Sequence, residues 1–213
     1  MGDLFNPDGK FFRFMERVIE LIKLNFLWVL FSLPVVTAGA STFAMFVVAG
    51  QIADGEEGYI WKAFWSAFRA NWKRASLLWL FVGGVGAGLL MDYRFWTLVD
   101  SPVSGMMKGL TMALIVLFLV GAVYVFPLAA RMDTNVKTTL RNSWLLGMKY
   151  LPRTFIMLVW IVLESFAVRL WALGLLLGML VGVSGMAWLV EIHMKKIFAK
   201  EQIIEIQEEG ALS

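Results

Sequence analysis

The stretch LNFLWVLFSLPVVTAGASTFAMFVVAGQIA, Leu24 to Ala53, runs for 30 residues without a charged side chain. A helix needs only about 20 apolar residues to cross the ~30 Å hydrocarbon core of a bilayer. As one straight helix the run would be about 45 Å long, a poor match without a steep tilt. Pro34 has no N–H and clashes with the turn before it, and Gly39 tolerates a positive φ. The chain therefore either crosses once, slanted, or turns back between Pro34 and Gly39. That choice decides which side of a membrane every later segment faces.

The rest of the chain has the same character. Of 213 residues, 60% are hydrophobic and 16% charged, with mean hydropathy +0.73. A soluble domain carries roughly 25% charged residues, so lipid is the expected solvent for much of this one. The length suits one compact membrane domain, 1–213. With no cysteine, disulfides, thiolate metal sites and cysteine nucleophiles are excluded, and a single histidine, His193, argues against a His-rich metal cluster. Ala38-Gly39-Ala40 reads as a small-x-small cleavage site. However, four acids and four bases precede the apolar run, which continues for 13 residues beyond Ala40, so an uncleaved segment is expected.

The uncharged runs are Leu24–Ala53, Ala75–Met91, Gly109–Ala130, Thr154–Leu163 and Leu170–Val190. Lys and Arg are excluded from exported loops. If the first run crosses once, they divide 7 against 12 between the two sides; if it crosses twice, they divide 16 against 3. The second division predicts an all-α, polytopic fold with six membrane helices (five for a single first crossing) and both termini cytoplasmic. The expected spans are 20–37, 40–53, 75–92, 108–130, 153–168 and 170–191. A re-entrant 40–53 segment gives the same sidedness. The expected location is a membrane, crossed several times.

Two connections are amphipathic, 59–73 and 135–150. In the first, Trp61, Phe64, Trp65, Phe68 and Trp72 fall on one helical arc, with Lys62, Arg69 and Lys73 beside it. This suits a helix in the interface, its cations toward anionic headgroups. It suits equally a helix packed on the protein's own cytoplasmic face, or one that docks a partner. In the second, Val136, Leu140, Trp144, Met148 and Leu151 form the stripe, with Lys137, Arg141 and Lys149 alongside. Lys62, Trp65 and Arg74 match Arg141, Trp144 and Arg153 at a constant offset of 79, a weak hint of a repeat. Gly84 and Gly88, and Gly174, Gly178 and Gly182, recur at four-residue spacing and are read as helix-packing faces, within the chain or between chains.

Glu164 is the candidate intramembrane polar site, with Arg169 or Arg94 as partner. A carboxylate at mid-depth needs a partner or a water-filled cavity, and would serve a proton- or cation-linked role. The preferred alternative is a tight hairpin that holds Glu164 and Arg169 near the outer headgroups. Asn25 and Gln51 are expected to make interhelical hydrogen bonds. No Walker loop, G-x-S-x-G or H-E-x-x-H occurs. No acid–base pair or metal site can be named, so no catalytic residue, metal or cofactor is expected. The ring-bearing arcs argue against nucleic acid.

The segments NFLWVLFSLPVVTAGASTFAMFVV, AFWSAFRANWKRASLLWL, YVFPLAARMD and TTLRNSWLLGMKYLPRT resemble the YesL-like family of bacterial integral membrane proteins. The marks are Leu33-Pro34, Thr37 with Gly39, Phe64 with Phe68 and Asn71, Pro127, and Leu151-Pro152-Arg153. Phe43 and Phe46 stand where similar proteins often carry tyrosine. The resemblance implies a bacterial cytoplasmic membrane and an association with carbohydrate uptake, with no assigned activity and so no functional residues to carry over. The function expected is that of a non-enzymatic accessory or regulatory component, partnered by the lipid bilayer, by anionic lipid and by a carbohydrate ABC transporter or sensor. The alternative is a small transporter or channel with its polar site at Glu164.

Overall fold

The structure, a computed structural model, describes the backbone of residues 10–56, 58–170 and 178–212, and side chains for 11–56, 58–163, 166 and 180–200. The elements are α1 (Lys10–Ser32), a 3-10 turn (Val35–Thr37), α2 (Ala38–Asp54), α3 (Ile60–Leu98), α4 (Ser104–Arg131), α5 (Val136–Lys149), α6 (Leu151–Leu170), a π-helical turn (Gly178–Gly182) and α7 (Val183–Leu212). No strand occurs among the described residues.

The first uncharged run is broken over residues 33–37, at its Pro, and the chain doubles back; Gly39 lies inside α2 with no positive φ, so it serves packing and not the turn. α1 ends at Ser32 and α2 starts at Ala38. Across the turn, the Trp28 indole N–H donates to Thr42 Oγ1 at 3.1 Å and Ser41 Oγ donates to the Trp28 carbonyl at 2.9 Å. Leu21, Leu24 and Leu27 share a buried cluster with Ala44, Met45, Val48 and Ile52. The turn itself exposes Leu33, Val35 and Val36, yet the Phe31, Pro34, Val35 and Val36 carbonyls are bonded. Thr37 Oγ1 bonds the carbonyls of Phe31 and Pro34, both at 2.9 Å, and Ser76 of α3 donates to the Val36 carbonyl at 2.9 Å. An apolar turn with its backbone satisfied from within can sit in a medium without water.

α2 is the hub: α1, α3, α4 and α7 all pack against it. Small residues make this close packing feasible. A Cβ on Gly39 would meet Trp79 Cβ and, at 2.5 Å, the Ala75 carbonyl oxygen, so α3 crosses α2 there only because position 39 is glycine. Gly121 of α4 lies under the Trp144 ring of α5, and Gly147 of α5 under the Val120 carbonyl of α4. Gly84 and Gly88, expected as a packing face, meet no other part of the described chain: a Cβ on either finds no heavy atom within 4 Å. Gly86, on a different face, is the one against α4, at 3.4 Å from Phe118. Periodicity marked a stripe of small residues, but the helix is rotated so that the stripe points outward. Gly174 lies outside the described residues, while Gly178 and Gly182 bound the π-helical turn.

Residues 60–98 form one unbroken helix of 39 residues, so the ring-rich stretch 59–73 and the uncharged run after it share an axis. No helix breaker separates them, and Arg74, at the junction, is a good helix former that pairs with Asp133. In the related stretch, α5 and α6 meet at a 100° bend around Tyr150. Pro152 falls in the first turn of α6, where a missing N–H does no harm. The two offset-related stretches therefore differ in shape. Pro127 lies inside α4 without ending it.

Three helical stretches are long and apolar enough to cross a membrane: Val35–Asp54, Ile60–Leu98 and Ser104–Arg131. The bent pair Val136–Lys149 and Leu151–Leu163 makes a fourth if counted as one. α1, expected to span from residue 20, is not among them, because Glu20 and Lys23 leave only Leu24–Ser32 uncharged. The expected 170–191 span falls partly outside the described residues. α3, α4 and α6 expose Leu80, Phe81, Leu90, Met91, Met106, Leu110, Phe155 and Trp160. Water does not tolerate so continuous an apolar surface; it belongs to a membrane-embedded protein.

Candidate functional site

The ring row of α3 is divided between two roles. Phe64 is fully buried among Leu21, Leu24, Leu27 and Val48. Phe31, the last ring before the turn, meets Trp61, Phe64, Trp65 and Phe68 at centroid distances of 6.2, 5.6, 5.4 and 5.3 Å. The outer edge stays accessible: Trp61 is 54% and Trp72 47% exposed. Each cation of the stretch lies over a ring. Lys62 is 5.0 Å from the Tyr59 centroid, Arg69 5.6 Å from Trp65 and Lys73 5.7 Å from Trp72. Packing on the protein and an outward cationic face are therefore realised by the same helix.

A second constellation escaped the sequence reading. Glu191 of α7 is fully buried. Arg131, at the end of α4, donates from Nε to its Oε2 at 2.7 Å and brings Nη2 within 3.6 Å of Asp54 Oδ2, at the end of α2. Lys195, one turn along α7, reaches Asp54 Oδ1 at 3.0 Å. Four alternating charges thus join the C-terminal ends of α2 and α4 to the body of α7. Gly50 borders the network: a Cβ there would make ordinary contact, 3.5 Å from Glu191 Oε2 and 3.7 Å from Arg131 Nη2. Glu191 Oε1 is buried without a hydrogen-bond partner. Two charges in a low-dielectric setting repay their desolvation only through each other, so this network fixes how α2, α4 and α7 meet.

Beside it, Arg74 ties α3 to the α4–α5 connection. Its Nη1 pairs with Asp133 at 2.9 Å and its Nη2 donates to the Met132 carbonyl at 2.9 Å. Asn135 caps α5, its Oδ1 accepting from Thr138 N at 2.8 Å. A signal for both constellations was present. Asp54, Arg74, Arg131 and Glu191 are each the first charge bordering an uncharged run. Singly each marks only the border of an apolar run; their partnership appears once the helices are placed side by side.

Of the expected polar site, Glu164 and Arg169 lie outside the residues whose side chains are described. Arg94 is exposed near the end of α3. Asn25 does make the expected interhelical bond. It is 1% exposed, and its Oδ1 accepts from Ser184 N in the first turn of α7 at 3.2 Å. Among the described residues no group of three or more His, Cys, Asp or Glu could hold a metal ion.

Residues 21–93 match the family described as "Protein of unknown function, DUF624". That segment takes in the α1–α2 hairpin, its Pro-Thr-Gly turn and most of α3, the unit in which Phe31 and Gly39 set the packing. The chain is 30% identical over 138 residues to "Uncharacterized protein YesL" of Bacillus subtilis (strain 168), covering 63% of this chain and 65% of that one. It is 27% identical over 157 residues to "Uncharacterized protein YteU" of the same organism, covering 70% and 69%. The chain thus spans a little under two thirds of YesL. No solved structure matches it. With the marks at Leu33-Pro34, Thr37, Gly39, Phe64 and Phe68 inside the matched segment, the chain is similar to the YesL-like proteins, whose function is unassigned.

Proposed function

We propose that this is a multi-pass protein of a bacterial cell membrane, with both termini cytoplasmic, that acts as a non-enzymatic accessory or regulatory component of carbohydrate uptake. The observation that carries the docking role is the allocation of its polar groups. Asp54, Arg131, Glu191 and Lys195 are engaged with one another, as are Arg74 and Asp133. The exposed edge of α3 instead offers rings and cations: Trp61, Lys62, Arg69, Trp72 and Lys73. A row of aromatic and basic side chains is what a partner subunit or an anionic headgroup engages. The link to carbohydrate rests on the family resemblance.

In this reading α1 and α2 form a hairpin that enters and leaves on the cytoplasmic side. The nine residues Leu24–Ser32 reach only about 14 Å, half the hydrocarbon core, so the hairpin is re-entrant. The arrangement keeps the 16-to-3 charge division. The absence of native cysteine permits single-cysteine mapping. A thiol near Lys62 is expected to resist impermeant reagent in intact cells, and one at Asp100 to react; the reverse pattern refutes the topology. For the partner, the protein in nanodiscs is expected to retain the membrane subunits of a carbohydrate ABC transporter, and a Lys62→Glu/Lys73→Glu variant to lose them. Equal retention by the variant refutes this docking face.

A small transporter or channel with its polar site at Glu164 is favoured by one observation, the 100° break between α5 and α6. Discontinuous helices recur at transport sites. Flux into proteoliposomes that disappears in Glu164→Gln would replace the accessory reading; no flux of sugars, ions or protons retires the alternative.

A further inference from the structure

Arg131 is shared unequally between two carboxylates. Its Nε donates to Glu191 Oε2 at 2.7 Å, whereas its Nη2 stops 3.6 Å from Asp54 Oδ2, beyond hydrogen-bond reach. The guanidinium also stands 5.9 Å from the Phe198 ring, so α7 holds it on two sides and α2 by charge alone. Two polar atoms of the pair are buried with no hydrogen-bond partner, Arg131 Nη2 and Glu191 Oε1. Glu191 is thus a fully buried carboxylate that accepts at one oxygen only.

Among the described residues, the other charged groups around it are engaged elsewhere. α2 presents Asp54, a second negative charge, and α4 presents Arg131. On α7, Lys195 is held by Asp54 at 3.0 Å, and His193 Nδ1 bonds the Leu189 carbonyl at 2.8 Å. α1 sets Arg13 and Arg17 beside Trp188, and Glu20 beside Gln51 and Glu56. α6 sets Arg153 over Tyr150 at 5.6 Å, and the π-helical turn, GMLVG, has no titratable residue. Hydrogen bonds to a carboxylate favour its charged form, and each such donor is given up when a proton takes its place. At Oε1 there is none to give up. A proton there cancels a buried charge and leaves Arg131 to its other carboxylate.

We propose that Glu191 is a proton-binding site and that its proton works a latch between α4 and α7. With Glu191 ionised, Arg131 fastens the end of α4 to α7. When Oε1 takes a proton from solvent, the network gains one positive charge and the pull on Arg131 is lost. The guanidinium then closes the remaining gap to Asp54, and α7 loosens from α4. Ser184 Oγ, which donates to the Leu21 carbonyl at 2.7 Å, keeps the start of α7 on α1, so the movement belongs to the part beyond it. The side chains of Asp54 and Lys195 are 32% and 52% accessible, so water stands one side chain from Glu191. A proton needs a transient opening there and no cavity. The site is independent of the accessory reading; only the side from which the proton arrives rests on the cytoplasmic placement of the termini.

The full chain in nanodiscs, titrated from neutral to mildly acid pH, tests it with two readouts. Infrared difference spectra are expected to gain a carboxylic-acid C=O band that Glu191→Gln lacks. Spin labels at Lys137→Cys and Lys196→Cys, exposed positions on α5 and α7 in a chain without native cysteine, are expected to show a longer distance population that grows with that band. Glu191→Gln, neutral at every pH, should show the longer population throughout. Asp54→Asn leaves Glu191 and Arg131 paired but removes the carboxylate that competes for Arg131, so its band should appear only in more acid solution. That variant, read by band and distance together, decides the matter if Glu191→Gln does not fold. A titrating spectrum unchanged by Glu191→Gln, label distances that stay fixed while the band grows, or an Asp54→Asn midpoint equal to that of the wild type would each overturn the proposal.

Discussion

Replacing Arg131 by methionine tests the charge network, because the structure makes its members unequal. Glu191 is fully buried, and Arg131 is its donor at 2.7 Å; Lys195 is already held by Asp54 at 3.0 Å. Without Arg131 the Glu191 carboxylate is left buried and uncompensated, which costs about 3–5 kcal/mol. Removing Glu191 is milder. Arg131 keeps Asp54 within 3.6 Å, and those two side chains are 22% and 32% accessible, so the cost falls toward the ~1 kcal/mol of a solvated pair. In Arg131→Met/Glu191→Met both buried charges are gone, and methionine fills the space. Such replacements are commonly neutral or stabilising. The expected order of stability is therefore wild type close to the double variant, then Glu191→Met, then Arg131→Met well below. At about 2–4 °C per kcal/mol for a chain of this size, Arg131→Met should melt roughly 10 °C lower. Tryptophan fluorescence during heating in detergent reads this directly, and a chemical denaturation series supplies the cycle. If the single variants are equal and their effects add in the double, Arg131 and Glu191 do not act as a pair and the reasoning fails.

Gly39→Val places a branched side chain against the Ala75 carbonyl and Trp79, and neither backbone can yield without parting α2 from α3. A loss of at least about 2 kcal/mol is expected from overpacking, seen as a lower melting temperature. Gly84→Ala and Gly88→Ala meet open space and should be neutral or raise melting slightly through helix propensity; destabilisation only at high protein concentration would reveal a face used between chains. Thr37→Val removes the hydroxyl that bonds the Phe31 and Pro34 carbonyls and should cost about 1 kcal/mol, with faster amide exchange near the turn. Asn135→Ala removes the α5 cap and should cost about 1 kcal/mol; unchanged melting would show that the Arg74–Asp133 contact alone orders that connection.

The membrane character and the reversal at Pro34 could be read along the chain. Both rest on quantities summed over many residues: charge-free length, and the uneven distribution of 19 Lys and Arg along the chain. Such sums survive errors at any single position. The Leu33-Pro34, Thr37 and Gly39 marks likewise have local causes, a missing N–H, a hydroxyl within reach of two carbonyls, and a position with no Cβ. The length of α3 was less legible. An amphipathic pattern followed by an apolar one reads the same whether the helix bends between them or continues, and only the folded backbone, helical from Ile60 to Leu98, shows that it continues.

Partnerships belong to tertiary structure alone. Glu191, Arg131 and Asp54 are far apart in sequence, and each is an ordinary border charge until α2, α4 and α7 are placed side by side. The two glycine pairs show why. Gly84 and Gly88 have the spacing of a packing face and meet none of the described residues, whereas the isolated Gly39 and Gly121 carry the close contacts. Helical periodicity fixes which residues share a face. The rotation and neighbours of the helix, set by side chains distant in the chain, decide what that face meets.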